Sequence, residues 1–187
     1  MEATDILIEE HRIIERVLSA LERQTRRLEA GNAVRPGFFQ DATAFFRNFT
    51  DGCHHRKEEA AFLSAMMEAG LSNQTGPLAI MLAEHERSRV YNRAIEKDAR
   101  GLERGESAAR DDLIRNALDY SVLMRQHIRR ENEFLFPMAD RMIPPQARKA
   151  LTAEFERLVH EETGAGTRQK YRRLADAMEK EASTPGA

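Results

Sequence analysis

Four histidines and two glutamates recur in this 187-residue chain at spacings that could bind metal. His11 follows Glu10, and His85 follows Glu84. After the first pair comes His54-His55-Arg56-Lys57-Glu58-Glu59, which holds a His-x3-Glu pair in either of two registers, His54/Glu58 or His55/Glu59. After the second pair comes His127 with Glu131. His11 and His54 are 43 positions apart, His85 and His127 42. In a helix, residues i and i+4 share a face, so a His and a Glu so spaced can bind one ion, or one can bind while the other bridges to a second. Four imidazoles and two carboxylates, without thiolates, suit iron or manganese rather than a structural zinc cluster. One histidine on an apolar stripe is commonly just a hydrogen-bonded core residue. The same phase stated twice, with carboxylates that are costly to bury unpaired, points to metal.

These residues require long helices to carry them. The apolar positions Leu7, Ile14, Leu18, Leu21 and Leu28 repeat with helical period over 5–30, and His11 falls on that stripe. Thr4 or Asp5 can cap the start, and Gly31-Asn32 ends the helix. A second helix is predicted from Pro36 to Ala69, with Phe38, Phe39, Phe45, Phe46 and Phe49 in its first half. The third runs from Pro77 to 101–103, with Leu78, Met81, His85, Ser88, Ile95 and Ala99 on one side. The fourth covers 108–142, with Leu113, Ala117, Tyr120, Met124, His127, Glu131, Phe134 and Met138 facing inward. Met66, Met67, Met124, Met138 and Met142 are expected to fill the core. Short connections predict an all-α, antiparallel up-down-up-down four-helix bundle over residues 1–143. Residues 144–187 form a helical extension, with helices at 146–162 and 167–181 packing on the bundle.

Composition narrows the function. Hydrophobic residues make up 41% and charged residues 32%, with 6 prolines and no tryptophan, which favours long soluble helices. Lys+Arg 29 against Asp+Glu 31 are interspersed, which argues against nucleic-acid binding. No apolar run approaches the roughly 18 residues of a membrane span. One cysteine, Cys53, excludes an intrachain disulfide, and the N-terminus lacks the marks of a secretory signal. The expected location is the cytoplasm, and the expected form a monomer or homodimer.

Over residues 5–142 the chain resembles the hemerythrin-like family with its HHE cation-binding signature. His11, the run from His54 to Glu59, His85 in AEHERSR and HIRRENEFLFP at 127–137 carry the resemblance. It implies a pair of non-haem iron ions, bridged by an oxo or hydroxo species and two carboxylates. It places ligands at His11, His54, Glu58, His85, His127 and Glu131, with Glu58 and Glu131 bridging. In this register His55 is an outer or surface residue.

The chain departs from the oxygen carriers of that family. Arg89 stands where they carry a second histidine on the third helix, and His127-x3-Glu131 replaces a His-x4-Asp. A centre with fewer histidines keeps open positions. The resemblance therefore implies reaction with hydrogen peroxide, oxygen or nitric oxide in oxidative or nitrosative stress, catalase- or peroxidase-like, rather than reversible carriage. The alternative is a non-catalytic oxygen or iron sensor or store. His160, in the extension, is a candidate proton donor or added ligand at the open end, and Tyr171 a packing residue or a second such group.

Overall fold

A computed structural model describes residues 2–163 and 167–184, without the side chains of 159–163 and 167. No strand occurs among the described residues. Helix α1 spans Ala3–Glu29. Its cap is Glu2 rather than Thr4 or Asp5: the Glu2 backbone N–H donates to Asp5 Oδ2 at 3.0 Å, closing a capping box. Leu7, Ile14, Leu18, Leu21 and Leu28 are all buried on one stripe. The chain leaves α1 through Gly31, whose φ of 83° is readily adopted only without a Cβ.

The second helical segment changes its winding. It begins as α2 (Pro36–Phe45), with proline in its first turn. It continues as two π-helical stretches, π1 (Phe46–His55) and π2 (Glu58–Phe62), and ends as α3 (Leu63–Glu68). Helix α4 covers Gly76–Glu103. Helix α5 (Ser107–Arg130) passes through π3 (Glu131–Leu135) into α6 (Phe136–Met142). Helices α7 (Pro145–Thr163) and α8 (Thr167–Ser183) follow. No described helix is long and apolar enough to cross a membrane.

Regular α-periodicity fails at π3. Here the Phe136 N–H bonds to the Glu131 carbonyl five residues back, which shifts the register of everything beyond it. Leu135 and Phe136 consequently enter the core, and Phe134, expected inside, is 63% exposed. Met67 and Met142 are likewise exposed at segment ends, whereas Met66 and Met124 fill the core.

The core has two apolar layers. One gathers Phe38, Phe45, Phe46 and Phe49 with Leu18, Leu21, Leu113 and Met124. The other gathers Leu7, Phe62, Met66, Leu135 and Phe136 with Leu151 and Phe155 of α7. Helix α8 lies along α1 and α2, where Tyr171 packs on Phe49 with ring centroids 4.8 Å apart. Arg16 binds it from outside through Glu179 and Asp176. Of the histidines in the sequence repeat, His11 falls between the layers in chain order, between Leu7 and Ile13, and so does His85, between Met81 and Ile95.

The shifted register has a direct test. Phe46→Ala, removing a ring in contact with Phe45 and Tyr120, should cost about 3–5 kcal/mol in urea unfolding. Phe134→Ala should change stability by under about 0.5 kcal/mol.

Candidate metal centre

Seven buried polar side chains meet in the layer between the apolar halves. One group is His11, His54, Glu58 and Glu131; the other is His55, His85, His127 and Glu58. Within each group, one donor atom per residue lies within 4.8 Å of all the others. All seven are at most 1% exposed. The two carboxylates straddle the groups. Glu58 sets Oε1 3.3 Å from His54 Nε2 and Oε2 3.4 Å from His85 Nε2. Glu131 sets Oε1 3.2 Å from His127 Nε2 and Oε2 3.1 Å from His11 Nε2.

Apart from His85 Nε2 and His127 Nε2, within hydrogen-bond distance of each other at 3.2 Å, most of these atoms are close without being hydrogen-bonded. His11 Nε2, His54 Nε2, both nitrogens of His55, both oxygens of Glu58 and Glu131 Oε2 have no hydrogen-bond partner. Buried polar atoms are seldom left so, and the inward-facing ones among them fit cations held between the two groups. The donor set, imidazole and carboxylate, suits iron.

A family model described as Hemerythrin HHE cation binding domain matches residues 2–139. The chain belongs to this hemerythrin family. Uncharacterised proteins of Mycobacterium bovis and Mycobacterium tuberculosis are 23% identical to it over 175 residues, covering 93% of this chain and 68% of theirs. No solved structure matches it.

In this member of the hemerythrin family, the structure brings His11, His54, Glu58, His85, His127 and Glu131 into one layer. It also adds His55, fully buried and stacked on His85 with ring centroids 3.9 Å apart, where an outer or surface position was expected. The cause is local. Successive α-helical side chains diverge by about 100°, and a wider π-turn brings them closer in direction. Helix π1 ends on His54-His55, so both rings turn inward. The corresponding stretch of α5 is ordinary α-helix. Glu59, by contrast, lies at the periphery against Arg89 at 2.7 Å. The layer therefore holds five imidazoles. His160 lies in α7, but its side chain is outside the described residues. Tyr171 packs against Phe45 and Phe49.

A second tier of residues orients the rings. Glu10 accepts from His54 Nδ1 at 3.1 Å, and Glu84 from His127 Nδ1 at 3.0 Å. Glu59 accepts from His85 Nδ1 at 2.7 Å, and Asn132 Oδ1 from His11 Nδ1 at 2.8 Å. With Nδ1 donating outward, the Nε2 lone pair is left facing inward. The tier obeys the same twofold repeat as the inner set. Each Glu before a lone His supports the His of the next segment, and each residue after a straddling Glu supports a lone His. Lys57 binds Glu10 at 2.5 Å, and Arg130 binds Glu84 in the equivalent place. The sequence displayed this tier as Glu10-His11 and Glu84-His85, but spacing alone gave those glutamates no role.

Charge in the layer is finely opposed. Burial disfavours protonation of His85, but the adjacent carboxylates of Glu58 and Glu59 outweigh it and push the ring up to about 10. Burial and the neighbouring His85 and His127 drive His55 well below its ordinary value. Burial raises Glu131, yet His127 and His11 pull it down to about 2.

Two predictions follow from this tier. In protein stripped of metal, the raised His85 contributes stability below its unfolded value of 6.5 that is lost as pH climbs towards 10. The depressed Glu131 contributes stability above 4.5 that is lost as pH falls towards 2. Melting followed by circular dichroism should therefore show Tm falling on both sides of that window. Glu84→Gln should weaken iron binding about 10–100-fold in chelator competition.

Proposed function

We propose that this chain holds two iron ions and reacts with hydrogen peroxide, oxygen or nitric oxide in the cytoplasm, as part of oxidative or nitrosative stress defence. In this reading residues 1–143 are an antiparallel up-down-up-down four-helix bundle, and 144–187 an extension packed on it. One ion is held by His11 and His54, the other by His55, His85 and His127, and Glu58 and Glu131 join them. The observation that carries the reading is the pair of straddling carboxylates, each presenting one oxygen to either histidine group.

Bound iron would supply two adjacent redox-active Lewis-acid positions for a small oxidant or nitric oxide. The protein's own part is positional and electrostatic. Glu10, Glu59, Glu84 and Asn132 fix the tautomers of four rings. Glu58 and Glu131, each 1% exposed, offset the cationic charge of the site. Phe62 and Phe136, in contact with each other at 5.3 Å between centroids, close the layer on one side, and Phe136 stacks on His11. The group of His11 and His54 offers four donors including one oxygen of each carboxylate, fewer than an octahedral ion takes. That shortfall supports chemistry over mere storage.

The test is expression with iron supplied, with metal content and peroxide turnover measured on one sample. About two irons per chain are expected, with oxygen evolution from added peroxide. His127→Ala should lose turnover at least about 100-fold. Iron retained without turnover of peroxide or nitric oxide would favour a sensor or store. Protein without iron, melting at the same temperature with and without added metal, would overturn the reading.

A further inference from the structure

Most hydroxyls on the described helices are spent on their own backbones. Thr25 Oγ1 donates to the Leu21 carbonyl at 2.8 Å, Ser121 Oγ to Ala117 at 2.9 Å and Ser88 Oγ to His85 at 2.7 Å. Thr50 breaks the pattern. It lies in π1, is 1% exposed, and its Oγ1 has no partner. Across from it on α4, Asn92 is 8% exposed. Its Nδ2 donates to the Thr43 carbonyl at 3.1 Å, which leaves Oδ1 without a partner. His55, also unpartnered, is the third such residue.

All three line one cavity of about 170 Å³ between π1 and α4. Its share of space is enough for a handful of water molecules. At the outer end stand the exposed Arg47, paired with Glu96 at 2.8 Å, and Arg89, paired with Asp51 at 2.7 Å. At the inner end stands the His55 ring, stacked on His85. The cavity thus runs from solvent to the three-histidine edge of the centre.

The chemistry of the free groups selects the occupant. Asn92 turns its Nδ2 to the Thr43 carbonyl and offers an unpartnered acceptor oxygen. The Thr50 hydroxyl donates or accepts. A molecule that satisfies both must carry O–H donors as well as lone pairs. We propose that this cavity is a binding and entry site for small O–H donors, water and hydrogen peroxide, with Thr50 and Asn92 as the groups that select them over diatomic gases. Dioxygen and nitric oxide have no hydrogen to give Asn92 and leave its Oδ1 unsatisfied. The proposal deepens the two-iron reading for peroxide and rests on it for that arm alone; occupancy by water does not depend on iron.

The test uses the full chain as wild type, Thr50→Val, Thr50→Ser and Asn92→Leu. A crystal structure of the wild type at high resolution should show ordered water within hydrogen-bond distance of both Thr50 Oγ1 and Asn92 Oδ1, lost in Thr50→Val. In iron-loaded protein of equal metal content, the second-order rate with hydrogen peroxide should fall about tenfold in Thr50→Val and Asn92→Leu and recover in Thr50→Ser. The rate with nitric oxide should stay within about twofold. A dry cavity overturns the proposal. So does an unreactive wild type, an unchanged peroxide rate, or an equal slowing of peroxide and nitric oxide, which would mark Thr50 and Asn92 as structural. If purified protein holds no iron, the two-iron reading fails, and the water positions still decide the cavity.

Discussion

Glu58 and Glu131 are each 1% exposed in the middle of a helical protein, with imidazoles on every side. An ionised carboxylate taken out of water costs several kcal/mol even after relaxation. The imidazoles offset part of that, and the carboxylates in turn push the His85 ring up from its ordinary value. The offset is imperfect, because the nearest nitrogens are misdirected for hydrogen bonds to the carboxylates. Cations between the two groups would satisfy every one of these atoms together. The rest of the architecture can be understood from that requirement: apolar layers above and below shield the site, and an outer tier of carboxylates and one amide holds the rings in place.

Helix winding is the device that meets the requirement. Both straddling glutamates open a π-turn, and the amides of Leu63 and Phe136 reach back five residues to the carbonyls of Glu58 and Glu131. The two halves are therefore alike in backbone as well as in sequence. They differ at π1, which only the first half has. That difference turns His55 inward opposite Ile128 in the repeat, and it opens the polar cavity beside Thr50. Arg89, standing where oxygen carriers have a histidine, instead ties Asp51 and Glu59 to the outside of the same region.

Much of this was legible in the sequence because it rests on periodicity. The stripe of α1, its end at Gly31, and the doubled His-x3-Glu all follow from spacing and turn chemistry. The element ends came within a few residues. What spacing could not convey was the departure from it. A 3.6-residue repeat puts Phe134 inside and only one of His54 and His55 on the inner face. The π-turns reverse the first and remove the choice in the second. The roles of Glu10, Glu84 and Asn132 were hidden for another reason: each supports a histidine on a different segment, a relation that only packing reveals. Even so, the parallel between Lys57 and Arg130, each three residues after a repeated histidine, was there to be read.

The most direct measurement is anomalous diffraction at the iron edge from crystals of protein grown with iron. The account predicts two peaks about 3.5–4 Å apart, one beside His11 and His54 and one beside His55, His85 and His127, both within reach of Glu58 and Glu131. A single peak, or none with the seven side chains still converged, would contradict it.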